Sequence, residues 1–187
     1  MLLIVALLLA LVSVPLAGGR LSRVTDVRLR WAYLPVAAFV VQVLILEVLD
    51  LSAGAAAAVH VATYVPLAVF FVANRRHPGL VLLILGVAAN GLVIAANDGV
   101  MPADAEARER AGIPDSEGFE NSDVVEDARL PWLGDVLAWP EPLPFANVFS
   151  IGDVFVVAGV GVFLHQVGGS MLTSRGRAER RHARATA

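Results

Sequence analysis

The chain has 187 residues, 57% of them hydrophobic and only 17% charged, with a mean hydropathy of +0.71. It has no cysteine, which excludes disulfide scaffolds, thiol catalysis and cysteine-ligated zinc or iron–sulfur sites. The net charge of −3 averages an acidic middle against arginine-rich ends, so its distribution is more informative than its sum.

A helix needs about 20 mostly apolar residues to cross a hydrocarbon core of about 30 Å. Five segments approach that length, at 2–17, 31–49, 53–73, 80–96 and 148–167. The first contains Pro15, lacks a positive amino end, offers only a poor small-x-small cleavage site at Pro15 and Ala17 and is followed by four arginines, so it reads as an uncleaved anchor. Cationic residues stay on the cytoplasmic side of short loops. Arg20, Arg23, Arg28 and Arg30 separate the first two segments, Arg75 and Arg76 separate the third and fourth, and five arginines follow the last. All fall on one side if the amino terminus is outside. The pattern therefore predicts an all-α integral membrane protein: five transmembrane helices, amino terminus outside, carboxyl terminus cytoplasmic, and a single membrane domain over 1–187. Trp31 and Tyr33 fit an interfacial anchor, and the basic tail at 174–187 is explained by topology alone.

Polar side chains within a span are costly and face other helices or water-filled cavities. Counted inward at 1.5 Å per residue, Gln42, His60 and Asn90 share a layer about 12 Å deep. Interhelical hydrogen bonding is the expected role of the amides, and His60, with no charged partner in sight, is expected to be packed and hydrogen-bonded. Nearer the outer ends come Glu47, Asp50, Asn97, Asp98, Ser150 and Asp153, with only His165 and Gln166 in the inner half. Gly79, Gly86, Asn90 and Asn97 recur at seven- and four-residue steps and form one stripe of small and amide residues. That face is expected to pack closely on another span, with Gly152, Gly159, Gly161 and Gly168 as its counterpart.

The outer segment, 98–147, holds twelve acids and three arginines. Residues 103–111 suit a short surface helix, and the acidic remainder, punctuated by Gly112, Pro114 and Gly118, reads as a loop. From Leu130 the composition turns apolar, with Trp132 and Trp139, as expected for a segment lying on the outer leaflet. Leu133-Gly134-Asp135-Val136 recurs eighteen residues later as Ile151-Gly152-Asp153-Val154. If the two aspartates converge in a poorly hydrated setting they cannot easily both ionise, so one keeps a proton while the other acts as base.

Two resemblances rest on these residues. Over most of its length the chain resembles a family of small multi-pass bacterial membrane proteins of unknown function. It does so through Asn97-Asp98-Gly99-Val100-Met101-Pro102, Leu130-Pro131-Trp132-Leu133-Gly134-Asp135-Val136 and Val148-Phe149-Ser150-Ile151-Gly152-Asp153-Val154. That resemblance implies a location in the bacterial plasma membrane and the five-span layout, with a glycine usual where Asp98 stands here. Over 135–164 the chain is similar to lipoprotein signal peptidase, through Asp135, Trp139, Phe145, Asn147, Asp153 and Gly159. An alanine separates Phe145 from Asn147, and no Asp-Arg pair precedes Asp135.

The expected function is a binding, sensing or partner-subunit role for an outward-facing acidic site. The alternative is a membrane-embedded aspartyl hydrolase with Asp135 and Asp153 as its dyad, supported by Asn97, Asn147 and Ser150. A third reading is a permeation path through Gln42, His60 and Asn90. Glu47, Asp50, Asp98 and Asp153 suit a hard cation, but no spacing specifies one, so neither a metal nor a cofactor is expected. The expected partners are the bilayer and a membrane-protein or lipid-linked partner on the outer face. Nucleic acid is not expected, since the only basic cluster is the short tail.

Overall fold

The computed structural model describes residues 2–45, 51–113 and 122–185 and is mostly helical. Its helices are α1 (Leu2–Leu16), α2 (Ser22–Thr25), α3 (Tyr33–Val43), α4 (Ala53–Asn74), α5 (Leu80–Ala96), α6 (Ala105–Arg110), α7 (Ile151–Gly168) and α8 (Ser174–Ala185). Four short strands complete it: β1 (Met101–Pro102), β2 (Ser122–Asp123), β3 (Leu137–Trp139) and β4 (Asn147–Phe149). By length and composition α4 and α7 are able to cross a membrane, while α1, α3 and α5 are apolar but shorter.

The five apolar helices stand in a row, α3–α4–α5–α7–α1, each packed on the next. The largest contact is that of α5 on α7, and small residues on both sides make it possible. A Cβ added at Gly86 would come within 2.5 Å of the Gly152 carbonyl oxygen, and one at Gly159 within 2.8 Å of the Leu83 backbone nitrogen. Gly79, at φ +84°, begins α5 where its backbone meets Gly159 and Phe163. The stripe expected from spacing thus meets its counterpart at Gly79, Gly86, Gly152 and Gly159. Gly161 faces open space, and Gly168 packs instead on Val14 of α1.

Neighbouring α5 and α7 run antiparallel, and so do α3 and α4: Gln42, late in α3, bonds Thr63, while Asn74, closing α4, clasps the backbone of Arg30 ahead of α3. At that same end the Arg20 amide donates to the Gly168 carbonyl at 2.9 Å, and Arg23 pairs with Glu179 of α8 at 2.8 Å. The three arginine-bearing segments are therefore gathered at one end of the row. The long connection between α5 and α7 covers the other.

That connection departs from the all-α expectation. Asp104 caps α6 by accepting from the Ala107 amide at 2.9 Å, so the short helix foreseen at 103–111 forms at Ala105–Arg110. Beyond it, β1 pairs in parallel with β2, and Ala103 bridges to Asp135. The apolar stretch from Leu130 forms a 3-10 turn (Pro131–Leu133) and then the β3–β4 hairpin, in which Trp139 lies opposite Asn147. Because 147–149 are hydrogen-bonded to β3, α7 starts at Ile151, three residues later than hydropathy suggests. Hydropathy cannot separate a buried strand from the helix that follows it. Likewise α3 starts at Tyr33, since Trp31 has φ +55°. Residues 46–50, with Glu47 and Asp50, and residues 114–121, with Pro114 and Gly118, lie outside the described residues.

The glycine seam sets a test. Gly86→Ala is expected to destabilise the protein by about 1–3 kcal/mol through overpacking. Gly161→Ala, which meets nothing within 4 Å, is expected to be neutral or slightly stabilising. Thermal unfolding of the two variants in the same detergent distinguishes them, and equal midpoints would contradict the seam.

Candidate functional site

Beneath the long connection lies a cavity of about 1080 Å³, partly open to the surface. One wall is the amino-terminal half of α1, from Leu2 to Leu9, and the facing wall is the start of α7, with Val154, Val157 and Ala158. Where α1 packs on α7 at their other ends, Gly168 meets Val14 and the Ser13 hydroxyl contacts His165 Nε2 at 2.9 Å. The roof is supplied by the hairpin, Phe145, Arg108 and Ser122. Asp135 and Asp153 both line this cavity, and so does Asn147.

Each aspartate is positioned by local chain chemistry. Asp153 occupies the third position of α7 and completes a capping box. The Ser150 amide donates to Asp153 Oδ2, and the Asp153 amide donates to Ser150 Oγ, both at 3.0 Å. Asn90 of α5 reaches across the glycine seam and donates through Nδ2 to Asp153 Oδ1 at 2.9 Å, while its own Oδ1 accepts from the Ser150 hydroxyl at 3.0 Å. Gly152 is indispensable to this crossing, because a Cβ there would collide with Asn90 Oδ1.

Asp135 is held by its backbone. Its amide donates to the Pro102 carbonyl at 2.9 Å, and its carbonyl accepts from the Asp104 amide at 3.1 Å. Gly134 allows this approach, since a Cβ there would strike the Pro102 oxygen. The side chain is 7% exposed, and Oδ2 accepts from the Ser122 hydroxyl at 2.6 Å. Burial raises the carboxyl pKa from 3.8 to about 6. The Ser122 hydrogen bond opposes that rise, and the nearby Asp153 charge adds to it. Arg108, 3% exposed, donates to the Ser122 carbonyl at 3.1 Å and stands 3.5 Å from Asp123.

The other polar residues distribute differently. Gln42 Nε2 donates to Thr63 Oγ1 at 2.8 Å, and Thr63 donates to the His60 carbonyl. His60 Nδ1 donates to the Gly99 carbonyl at 3.1 Å. Gln42 and His60 thus join α3, α4 and the turn after α5, while Asn90 alone of that layer bonds a residue that lines the cavity, Asp153. Asn97 turns away from it: its side chain donates to the Val93 and Arg129 carbonyls and accepts from the Arg129 amide. Asp98 has φ +55° and precedes Gly99 at φ +90°, a left-handed pair in which glycine is at ease and aspartate is tolerated. No three His, Cys, Asp or Glu side chains converge on a metal position among the described residues.

Ser122, Arg108 and the clasp at Asn74 are not marked by any sequence pattern. Ser122 lies in an acidic, helix-poor stretch and reaches Asp135 only because β2 pairs with β1.

The chain belongs to the Family of unknown function (DUF5317), whose model matches residues 26–165. It is also 30% identical over 103 residues to an uncharacterized protein of Thermotoga maritima, a match covering 54% of this chain and 59% of that protein. The match thus spans less than two thirds of the relative's length. No solved structure matches the chain.

The raised Asp135 pKa makes stability depend on pH. The folded state binds this proton more tightly than the unfolded chain does, so the contribution is fully present below pH 3.8 and is lost as pH rises through about 6. The loss is on the order of 3 kcal/mol. Asp135→Asn is expected to abolish this component, leaving the variant at least as stable as the parent at pH 7. Unfolding midpoints between pH 4 and 7 measure it, and parallel profiles for the two proteins would refute it.

Proposed function

We propose that this protein is a five-span plasma-membrane protein, with its amino terminus outside and its arginine-bearing end in the cytosol, and that it hydrolyses an amphiphilic substrate at the outer leaflet. The membrane assignment is supported by apolar side chains left uncovered on all five long helices. Leu9, Phe39, Val65 and Leu92 are each more than half exposed, and Val154 of α7 is 46% exposed. Such a surface promotes aggregation in water and is at home in lipid. Sidedness is supported by the gathering of basic segments at one end. Two of the three shorter helices, α1 and α5, are about 22–25 Å long and are accommodated by local thinning of the bilayer.

The single observation that carries the hydrolytic reading is that Asp135 and Asp153 line one largely apolar cavity. With one carboxylate and one carboxylic acid, the pair performs metal-free hydrolysis. The carboxylate takes a proton from water as the water oxygen bonds to the substrate carbonyl carbon, and the acid gives its proton to the carbonyl oxygen. In the collapse, the first group returns its proton to the leaving amine or alcohol as that bond breaks. The second recovers its proton from a hydroxyl of the intermediate, so both regain their starting states. The walls formed by α1 and α7 suit the hydrocarbon part of a lipid-linked or signal-anchored substrate, with the reacting bond at the level of the aspartates. Asn147, on the same cavity, is available to orient the carbonyl.

The size and apolar lining of the cavity support a second reading, a ligand-binding or sensing site at which nothing is cleaved. The two diverge in one experiment. With purified protein in nanodiscs and fluorogenic lipopeptides, Asp135→Asn and Asp153→Asn are each expected to reduce turnover by at least about a thousand-fold while leaving insertion unchanged. Full turnover by either variant would eliminate the hydrolase. A carboxyl-terminal reporter after Ala187 is expected to be active only in the cytosol, and activity outside the cell would overturn the topology.

A further inference from the structure

The two aspartates differ in what surrounds them, and this inference, which rests on the hydrolytic reading for its chemical meaning, concerns that difference. The Ser150 hydroxyl already accepts from the Asp153 amide, so its own proton must find another acceptor, and it is directed to Asn90 Oδ1. An amide whose oxygen is so engaged must turn its NH2 the other way, toward Asp153 Oδ1. The Ser150 amide supplies a donor to Asp153 Oδ2. Asp153 thus faces a donor at each oxygen and has both lone-pair sides engaged for accepting rather than donating. Among the described residues Asp135 has a single side-chain donor, Ser122, at Oδ2, and its residue is 7% exposed on the cavity lining.

We propose that the dyad has fixed and unequal roles: Asp153 is the base and Asp135 the acid, with Asn90, Ser150 and Ser122 as the positioning residues that set this division. In the hydrolytic cycle, water gives its proton to Asp153, and Asp135 gives the proton on Oδ1, the oxygen not engaged by Ser122, to the carbonyl oxygen. Gly152 belongs to the same device, since only a residue without Cβ lets Asn90 reach Asp153. Among the described residues the charged or titratable groups that share the cavity with Asp135 are Arg108 of α6 and Asp153 of α7, and Asp123 of β2 stands 3.5 Å from Arg108.

The test needs no substrate. Dicyclohexylcarbodiimide enters apolar sites and reacts with protonated carboxyls, so the full chain in nanodiscs is treated from pH 5 to 8 and adducts at each aspartate are quantified by mass spectrometry. Asp135 is expected to label at pH 5 and to lose reactivity with a midpoint near pH 6, while Asp153 stays at least tenfold less labelled. Ser122→Ala, which removes a donor to the charged form, is expected to move the Asp135 midpoint upward by about one pH unit. Ser122→Thr, retaining the hydroxyl, is expected to leave it in place. Gly152→Ala and Asn90→Leu are each expected to expose Asp153 to labelling. Equal labelling of both aspartates in the parent protein, or parental profiles in Ser122→Ala and Gly152→Ala, would overturn the assignment. If the labelling pattern is as expected but Asp135→Asn and Asp153→Asn retain turnover, the hydrolytic reading fails and the proton assignment stands. If turnover is lost in both but the aspartates label alike, the hydrolytic reading stands and this inference fails.

Discussion

The close approach of α5 to α7 is the contact on which the rest of the structure depends. Gly86 against Gly152 and Gly79 against Gly159 bring two backbones together at distances no side chain permits. Apolar packing alone would be satisfied by larger residues at a wider spacing. What the narrow spacing adds is reach: Asn90 is a short side chain, and only at this separation does its amide arrive at Asp153 and Ser150 on the facing helix. The seam thereby links helix packing to the orientation of one carboxylate.

The second aspartate arrives by a different route. Asp135 is fixed through its backbone to the Pro102 and Asp104 peptide groups and through its side chain to Ser122. Both aspartates then meet one apolar cavity from different elements, a helix start and an irregular bridge. A buried carboxyl with a raised pKa weakens the fold at neutral pH. A neutral side chain at that position would carry no such pH-dependent cost.

The apolar helices show a comparable division of labour. Residues facing neighbouring helices, such as Val14, Leu80, Leu83 and Phe163, form a continuous buried cluster, while equally apolar residues on the outward faces remain uncovered. Hydropathy alone does not tell the two faces apart, because all-round apolarity leaves no amphipathic signature. The glycine and amide spacing does, which is why the α5 face was legible without coordinates while the faces of α1 and α3 were not.

The Leu-Gly-Asp-Val and Ile-Gly-Asp-Val echo marked both aspartates, but not the way they are placed: the first lies in a bridge after a 3-10 turn and the second in the first turn of α7. Asn90 was visible as a polar residue on the glycine stripe, whereas its separation from Gln42 and His60 was not, since a shared depth says nothing about which neighbour each side chain faces. By itself the sequence determined the apolar segments, the seam between two of them and the segregation of arginines from acids, because these follow from composition and from the 3.6-residue period. Only the tertiary structure decided that Ser122 meets Asp135, that Asn97 serves the Arg129 backbone instead of the cavity, and that α1 forms a cavity wall. These are contacts between residues far apart in the chain, and they depend on strand pairing and helix order, which no local pattern encodes.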